Sequence, residues 1–572
     1  MTHPPSQRRV VPVASESNLR GLAQQKDVQK WKLDDCIEPV ILPADKASTI
    51  HVWALGFVCV IGGHLYGWNE ALQTGFLPFA LSQIVTGAAY VVYVTSIAEV
   101  SCKVPFAGVS YSLTRITLGF FCGFVVGFVE LLEYVASAAC SVGYVADFVT
   151  AAFAWDDHWK PLIWFVFYAV SIAVFQLPGR IYWRLMVLFA FVCAIPMLLV
   201  VVAGCMYGDL AQNGAYRDDP LAPVWATGTI TTAYFAWLPY TTWGYAGVES
   251  LTLIAGDTKE PKRTLPRGML CAVVTLFCSN MSMVFVVPSL PPGIASAVNA
   301  TFPLNNGLGM LGISETVGQW LILPAQMGMA AGFFLQYAHL TQSLANSNML
   351  PACLGLKNQA TTLKPMVAAS AFGYLLCTLS HLSPAFEKAL QNLFLLAATF
   401  CYSAQLIGFG MLRTTYRCDS KEFTSPFGIP GAVFAGSVYL LLALSIAGGF
   451  QGDDGVAVAS FAAFLLLLLI YYHTVCKSTQ TLTKDEYAAV FKFSVIKYNA
   501  ARFSKSRSHR RSPITKTIAW AAGLVGESKA TMVKCPEAKT ITVKTQRSLA
   551  QLAPHDATGN SQRVDRCLGC VK

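Results

Sequence analysis

Twelve apolar stretches separated by short polar turns leave this chain few folds to adopt. They lie near residues 52–74, 78–101, 119–153, 161–178, 185–207, 228–255, 267–288, 313–345, 364–380, 384–411, 431–449 and 455–475. A chain of 572 residues that is 54% hydrophobic and only 13% charged is too apolar for a soluble enzyme. It reads as an all-α polytopic membrane protein with twelve transmembrane helices. Residues 1–50 are polar and lack the short apolar core of a cleavable signal, so the first span is expected to start insertion itself.

Charge in the loops orients these spans. With an even number of crossings both termini share one side, and that side should be rich in lysine and arginine. The loops expected inside hold Lys103, Arg115, Arg180, Arg184, Lys259, Lys262, Arg263, Arg267, Lys357, Lys364, Arg413, Arg417 and Lys421, whereas those expected outside hold only Lys160, Arg217 and Lys388. Both termini are therefore expected in the cytoplasm, with the surface membrane the expected location. Lys259, Lys262, Arg263 and Arg267 would anchor the inner end of span 6 and the start of span 7. The sequon at Asn299 falls in the longest outer loop, where a eukaryotic chain could be glycosylated. The net charge of +10 lies mainly outside the spans, so it speaks for membrane orientation and against a nucleic-acid partner.

The chain divides into a cytoplasmic tail over residues 1–50, a twelve-span domain over 51–475 and a basic tail over 476–572. WKLDDCIEPV in the first tail has a composition that could rest on the inner membrane face. The second tail is expected to be disordered. Within it, the stretch from Arg502 to Lys516 interleaves cations with serines, a composition that could hold anionic lipid and release it on phosphorylation. The 17 cysteines are scattered, many within spans, and outline no disulfide framework. Cys567 and Cys570 form a lone CxxC, too little for a metal site.

Two spans are unlike the rest. Span 1 carries VIGGHLYGWNE, in which Ile61, Gly62, Gly63 and His64 interrupt an apolar run. Glycines there allow an unwound segment to offer its backbone to a ligand, or else form a small-residue packing notch. His64 is a candidate proton carrier or ligand contact, or a satisfied packing residue. Span 6 carries WGYAGVES, with Gly244 and Gly247 permitting a break, Trp243 and Tyr245 able to close over a substrate, and Glu249 where a new half-helix should begin. The helix dipole favours a carboxylate at that position, and a coupling acid would occupy the same place. Glu130 and Glu133 in span 3 share one helix face. Such acids couple ions or tie helices together. Span 5 has no lysine that could stand in for sodium, while Gln326, Gln336, His339, Thr341, Gln342 and Ser343 of span 8 could form a sodium site or line an aqueous path. The coupling ion is left open between H+ and Na+. No metal or organic cofactor is expected.

The glycine-valine-glutamate core of span 6 and the turn AGDTKEPKRTLPR after it resemble the signature of the amino acid–polyamine–organocation transporter superfamily. The first third is most similar to ethanolamine permeases, through VIGGHLYGWNEAL, SIAEVSCKVPFAGVSYSLTR and GFVELLEYV. The resemblance implies a LeuT-like 5+5 inverted repeat, about residues 52–207 and 228–411, with two extra C-terminal helices. It also implies that the substrate meets the chain around Ile61, Gly62, Gly63, His64, Trp243, Gly244, Tyr245 and Gly247, with Glu249, His64 and Glu130 in coupling or gating. The sequence departs where ethanolamine permeases have an aspartate and this chain has His64. Losing that anion weakens the case for a cationic amine and leaves an amino acid as an equal expectation.

The expected function is secondary active transport of small amino compounds, amino acids or ethanolamine-like amines, by alternating access. The alternative is a non-transporting sensor that binds an amino acid and signals through its tails. A membrane enzyme is excluded, because His158 in DDHWK has neighbouring acids but no nucleophile.

Overall fold

The computed structural model describes residues 45–104, 108–217, 223–355, 362–416 and 422–509. WKLDDCIEPV, the cations Lys357, Arg417 and Lys421, and the tail beyond residue 509 with Cys567 and Cys570 lie outside them. The described residues are almost entirely helical; the only β pairings among them are two isolated bridges.

The long helices, in order, are α1 (Thr49–Ile61), α2 (Phe76–Lys103), α3 (Val109–Leu118), α4 (Phe120–Phe153), α5 (Lys160–Phe175), α6 (Gly179–Tyr207), α7 (Pro261–Ser289), α8 (Glu315–Gly332), α9 (Phe334–Asn346), α10 (Leu363–Leu382), α11 (Pro384–Thr414), α12 (Gly428–Ala447), α13 (Val456–Tyr471) and α14 (Lys484–His509). Local chemistry sets their starts. Ser48 N–H donates to His51 Nδ1 at 3.1 Å ahead of α1. Proline opens α7 and α11, where its missing N–H costs nothing, and Ser383 caps α11 by accepting from Phe386 N–H.

Among the described residues ten helices are long and apolar enough to cross a membrane, taking α8 with α9 as one. The two expected spans missing from that set are 52–74 and 228–255, because both are broken. α1 stops at Ile61, tightens to a 3₁₀ turn at Gly62–His64 and resumes as a second turn at Asn69–Thr74. The later segment is a π turn at Thr231–Phe235, a 3₁₀ turn at Leu238–Thr241 and a tight helix at Val248–Asp257.

Outward-facing residues explain why this surface needs lipid. Leu188, Phe191 and Leu198 on α6 and Leu466 and Leu467 on α13 are exposed. In water such a belt would drive aggregation, whereas hydrocarbon chains solvate it at no loss. The helices nearest the broken segments are instead buried: α1 packs against α6, α7 and α8, and α4 packs against α8 and α11.

One expectation is corrected here. The chain beyond 476 is not without structure as far as residue 509, since α14 follows the last span. Leu482, Glu486, Ala489 and Phe493 recur at helical spacing and are all buried. Glu486 pairs with Arg115 of α3 at 2.9 Å, and Arg115 also donates to Thr481 O at 3.0 Å. That partner stands far away in sequence, so the tail's composition alone concealed the helix.

Candidate functional site

The two broken segments run antiparallel and touch at three levels. At one end Ala47 N–H donates to Asp257 O at 2.7 Å and Lys259 N–H to Ala47 O at 2.9 Å. At the other, Thr227 N–H donates to Thr74 O at 2.8 Å. Midway, the breaks meet: His64 Nε2 lies 2.7 Å from Gly244 O. A carbonyl only accepts, so Nε2 carries the hydrogen of the bond. In the neutral ring Nδ1 is then a buried acceptor, and it has no partner among the described residues.

Glycine is required where the breaks cross. A Cβ on Gly63 would fall on the Trp243 carbonyl, and one on Gly244 would come within 2.9 Å of the Asn280 amide. Gly247, at φ +128°, turns the chain into the helix that begins at Val248. Its N–H donates to Glu249 Oε2 at 3.1 Å, so the carboxylate sits at the helix start where the dipole favours it.

Beside the breaks lies a cavity of about 30 Å³, room for one or two waters. Gly62, Gly63 and Trp243 of the two breaks line it together with Tyr66, Cys140, Ser141, Tyr144, Gln326, Met329, Gln391 and Phe394. Gln326 Nε2 also donates to Gly62 O at 3.2 Å, which ties α8 to the first break. The ring of Trp243 packs on Tyr240, centroids 4.6 Å apart, and the indole Nε1 is buried without a partner among the described residues.

Of the residues singled out in the sequence, the structure brings Gly62, Gly63 and Trp243 to this cavity, with His64 and Gly244 bonded behind it. Ile61 ends α1 and is buried in the core. Tyr245 points elsewhere, stacking on Tyr90 at 5.9 Å and Phe277 at 6.4 Å, so of the two aromatics only Trp243 borders the cavity. Lys259, Lys262, Arg263 and Arg267 are exposed at the start of α7, where Arg263 pairs with Glu422 at 3.0 Å. Asn299 is exposed at the end of a short helix, Ile294–Asn299.

Glu249 belongs to a second cluster, off the cavity. Tyr90 O–H donates to Glu249 Oε2. Tyr402 O–H lies 3.0 Å from Glu249 Oε1 and 3.0 Å from Glu133 Oε1. One phenol has one hydrogen, so the two carboxylates share it, and a proton on either would complete the other contact. Glu130 accepts from Tyr134 at 3.1 Å and from Ser110 at 2.5 Å. The second oxygens of Glu130 and Glu133 have no partner among the described residues. Tyr90 and Tyr402 were not legible as site residues: nothing in their own spans marks them, and they meet Glu249 only through the tertiary fold.

Broken antiparallel helices crossing at a glycine contact, beside a cavity in an apolar bundle, are an arrangement that membrane transporters use. The family model for amino acid permeases matches residues 54–482. The chain belongs to the amino acid permease family. It is similar to a methylthioribose transporter of Bacillus subtilis (strain 168), at 23% identity over 76% of this chain and 94% of that protein. It is also similar to a branched-chain amino acid permease of the same bacterium, at 22% identity over 68% of this chain and 84% of the relative. A transporter of Rhizobium meliloti (strain 1021) is 25% identical over 42% of this chain, which spans about half, 52%, of that protein.

Proposed function

We propose that this protein moves small amino compounds across a membrane as a secondary active transporter with alternating access. Twelve spans would cross the bilayer, the two broken segments being spans 1 and 6, with spans 1–5 and 6–10 as inverted repeats and two peripheral helices after them. Both termini would face the cytoplasm, in the plasma membrane. The observation that carries the reading is the meeting of His64 with Gly244 O at 2.7 Å, which puts the two breaks face to face beside the cavity. Unwound backbone at Gly62, Gly63 and Trp243 to Gly247 would hold the substrate's ammonium and carboxylate, and Trp243 would act as the lid.

Coupling to H+ or Na+ would pass through Glu249. Its support is the hydrogen that Glu249 and Glu133 share on Tyr402, an arrangement that a single added proton would complete. Glu130 would set the charge around that pair. His64 would serve as a second polar contact. No metal or organic cofactor enters this scheme.

The test is uptake of labelled amino acids and ethanolamine into proteoliposomes under an imposed pH or sodium gradient, with Glu249→Gln alongside. Accumulation that follows one gradient and disappears in the variant is the expected result. Absence of uptake for every compound, with no exchange, overturns transport. Accumulation undiminished in Glu249→Gln removes that residue from coupling.

A further inference from the structure

Among the residues that line the cavity there is no aspartate, glutamate, lysine, arginine or histidine. Glu249, Glu133 and Glu130 belong to the second cluster rather than to the cavity wall, and Asp147, one turn beyond Tyr144 on α4, pairs with Lys160 at 2.9 Å. A substrate side chain with its own charge would therefore meet no counter-charge in the cavity wall, which is unfavourable.

Uncharged polar groups are present and idle. Gln391 borders the cavity from α11 and has no hydrogen-bond partner among the described residues, and the hydroxyls of Tyr66 and Tyr144 are likewise unengaged. The Trp243 indole N–H is buried and, among the described residues, unpaired as well. An amide supplies donors and an acceptor without net charge, so it matches another neutral polar group on both counts, while to an ammonium it offers only its carbonyl and no counter-charge. Phe394, one turn from Gln391 on α11, Met329 and Cys140 add apolar lining, and Ser141 a hydroxyl. The cavity of about 30 Å³ favours short side chains.

Resting on the transport reading above, we infer that the substrate is a net-neutral amino acid with a short, uncharged side chain, read by the Gln391 amide with Tyr66 and Tyr144, and that basic amino acids and ethanolamine-like amines are excluded. The zwitterion's own two charges fall to the backbone of the breaks. Only its variable part meets Gln391.

The experiment pairs two readouts on the full chain, uptake in proteoliposomes and ligand-induced thermal stabilisation in detergent. The probes are alanine, serine, asparagine, lysine, glutamate and ethanolamine. Neutral probes are expected to stabilise and to be taken up, with lysine, glutamate and ethanolamine weaker by about tenfold or more. Gln391→Glu is expected to shift the preference about tenfold toward lysine and ethanolamine, and Gln391→Leu to shift it from serine and asparagine toward alanine. Equal stabilisation of the wild type by lysine or ethanolamine overturns the inference without recourse to either variant. An unchanged neutral-to-cation ratio in folded Gln391→Glu overturns it too. Selective stabilisation without any uptake sustains the specificity and refutes transport. Neither uptake nor stabilisation by any probe overturns both.

Discussion

Replacing Gly63 by alanine tests the crossing of the breaks directly. The added methyl would fall on the carbonyl of Trp243, with the Trp243 Cβ a further 3.3 Å contact. A backbone obstacle cannot rotate aside, so the two segments must separate, and the His64 to Gly244 contact of 2.7 Å would open with them. Overpacking of this kind costs about 1–3 kcal/mol, and a rigid obstacle places Gly63→Ala toward the upper end, about a hundredfold in an equilibrium between closed and parted breaks. Two other glycines calibrate the scale. At Gly62 the new methyl meets Met329 at 3.0 Å and the Ala325 carbonyl at 3.1 Å, and the thioether side chain can yield in part. At Gly256 nothing lies within 4 Å, and alanine there should be neutral or stabilising by up to ~1 kcal/mol. Initial uptake rate and melting temperature of the three purified variants should fall in the order Gly256→Ala, Gly62→Ala, Gly63→Ala. Equal behaviour of Gly63→Ala and Gly256→Ala would refute the close approach.

Tyr402→Phe removes the hydroxyl shared by Glu133 and Glu249; gradient-driven accumulation should drop about tenfold or more while exchange of substrate persists, measured by counterflow. Arg115→Met leaves Glu486 buried with only neutral donors and should lower stability by about 3 kcal/mol, most of it recovered in Arg115→Met/Glu486→Leu, as a thermal-melting double-mutant cycle would record. Expressed in a glycosylating cell, the chain should lose a glycosidase-sensitive mass shift in Asn299→Gln if that exposed end of the short helix faces outward; an unchanged mass would count against the outer placement of the loop.

Much of the architecture was legible because it rests on local signals. Long apolar runs mark the spans, and the ends of α2, α4, α10 and α11 fall within a few residues of the expected limits. Paired glycines at Gly62 and Gly63, and again at Gly244 and Gly247, mark where a helix in lipid is free to stop. The glutamate after Gly247 announces a helix start. What local signals miss is equally specific. Tyr245 and Trp243 are interchangeable as a pair of aromatics in a string, yet the chain turns between them and sends only Trp243 to the cavity.

Hydropathy and glycine spacing by themselves determined which segments form apolar helices and where two of them break, since backbone satisfaction in an apolar setting is decided residue by residue along the chain. Which residues meet at those breaks was decided only by tertiary structure. Gly63 finds Trp243, Glu249 finds Tyr90 and Tyr402, and Arg115 finds Glu486 across separations that no local pattern encodes. The same holds for Gln391, a polar residue in an ordinary apolar span until α11 is packed against α4. Side-chain recognition depends on neighbours brought together by helix packing, and that packing is a property of the whole bundle.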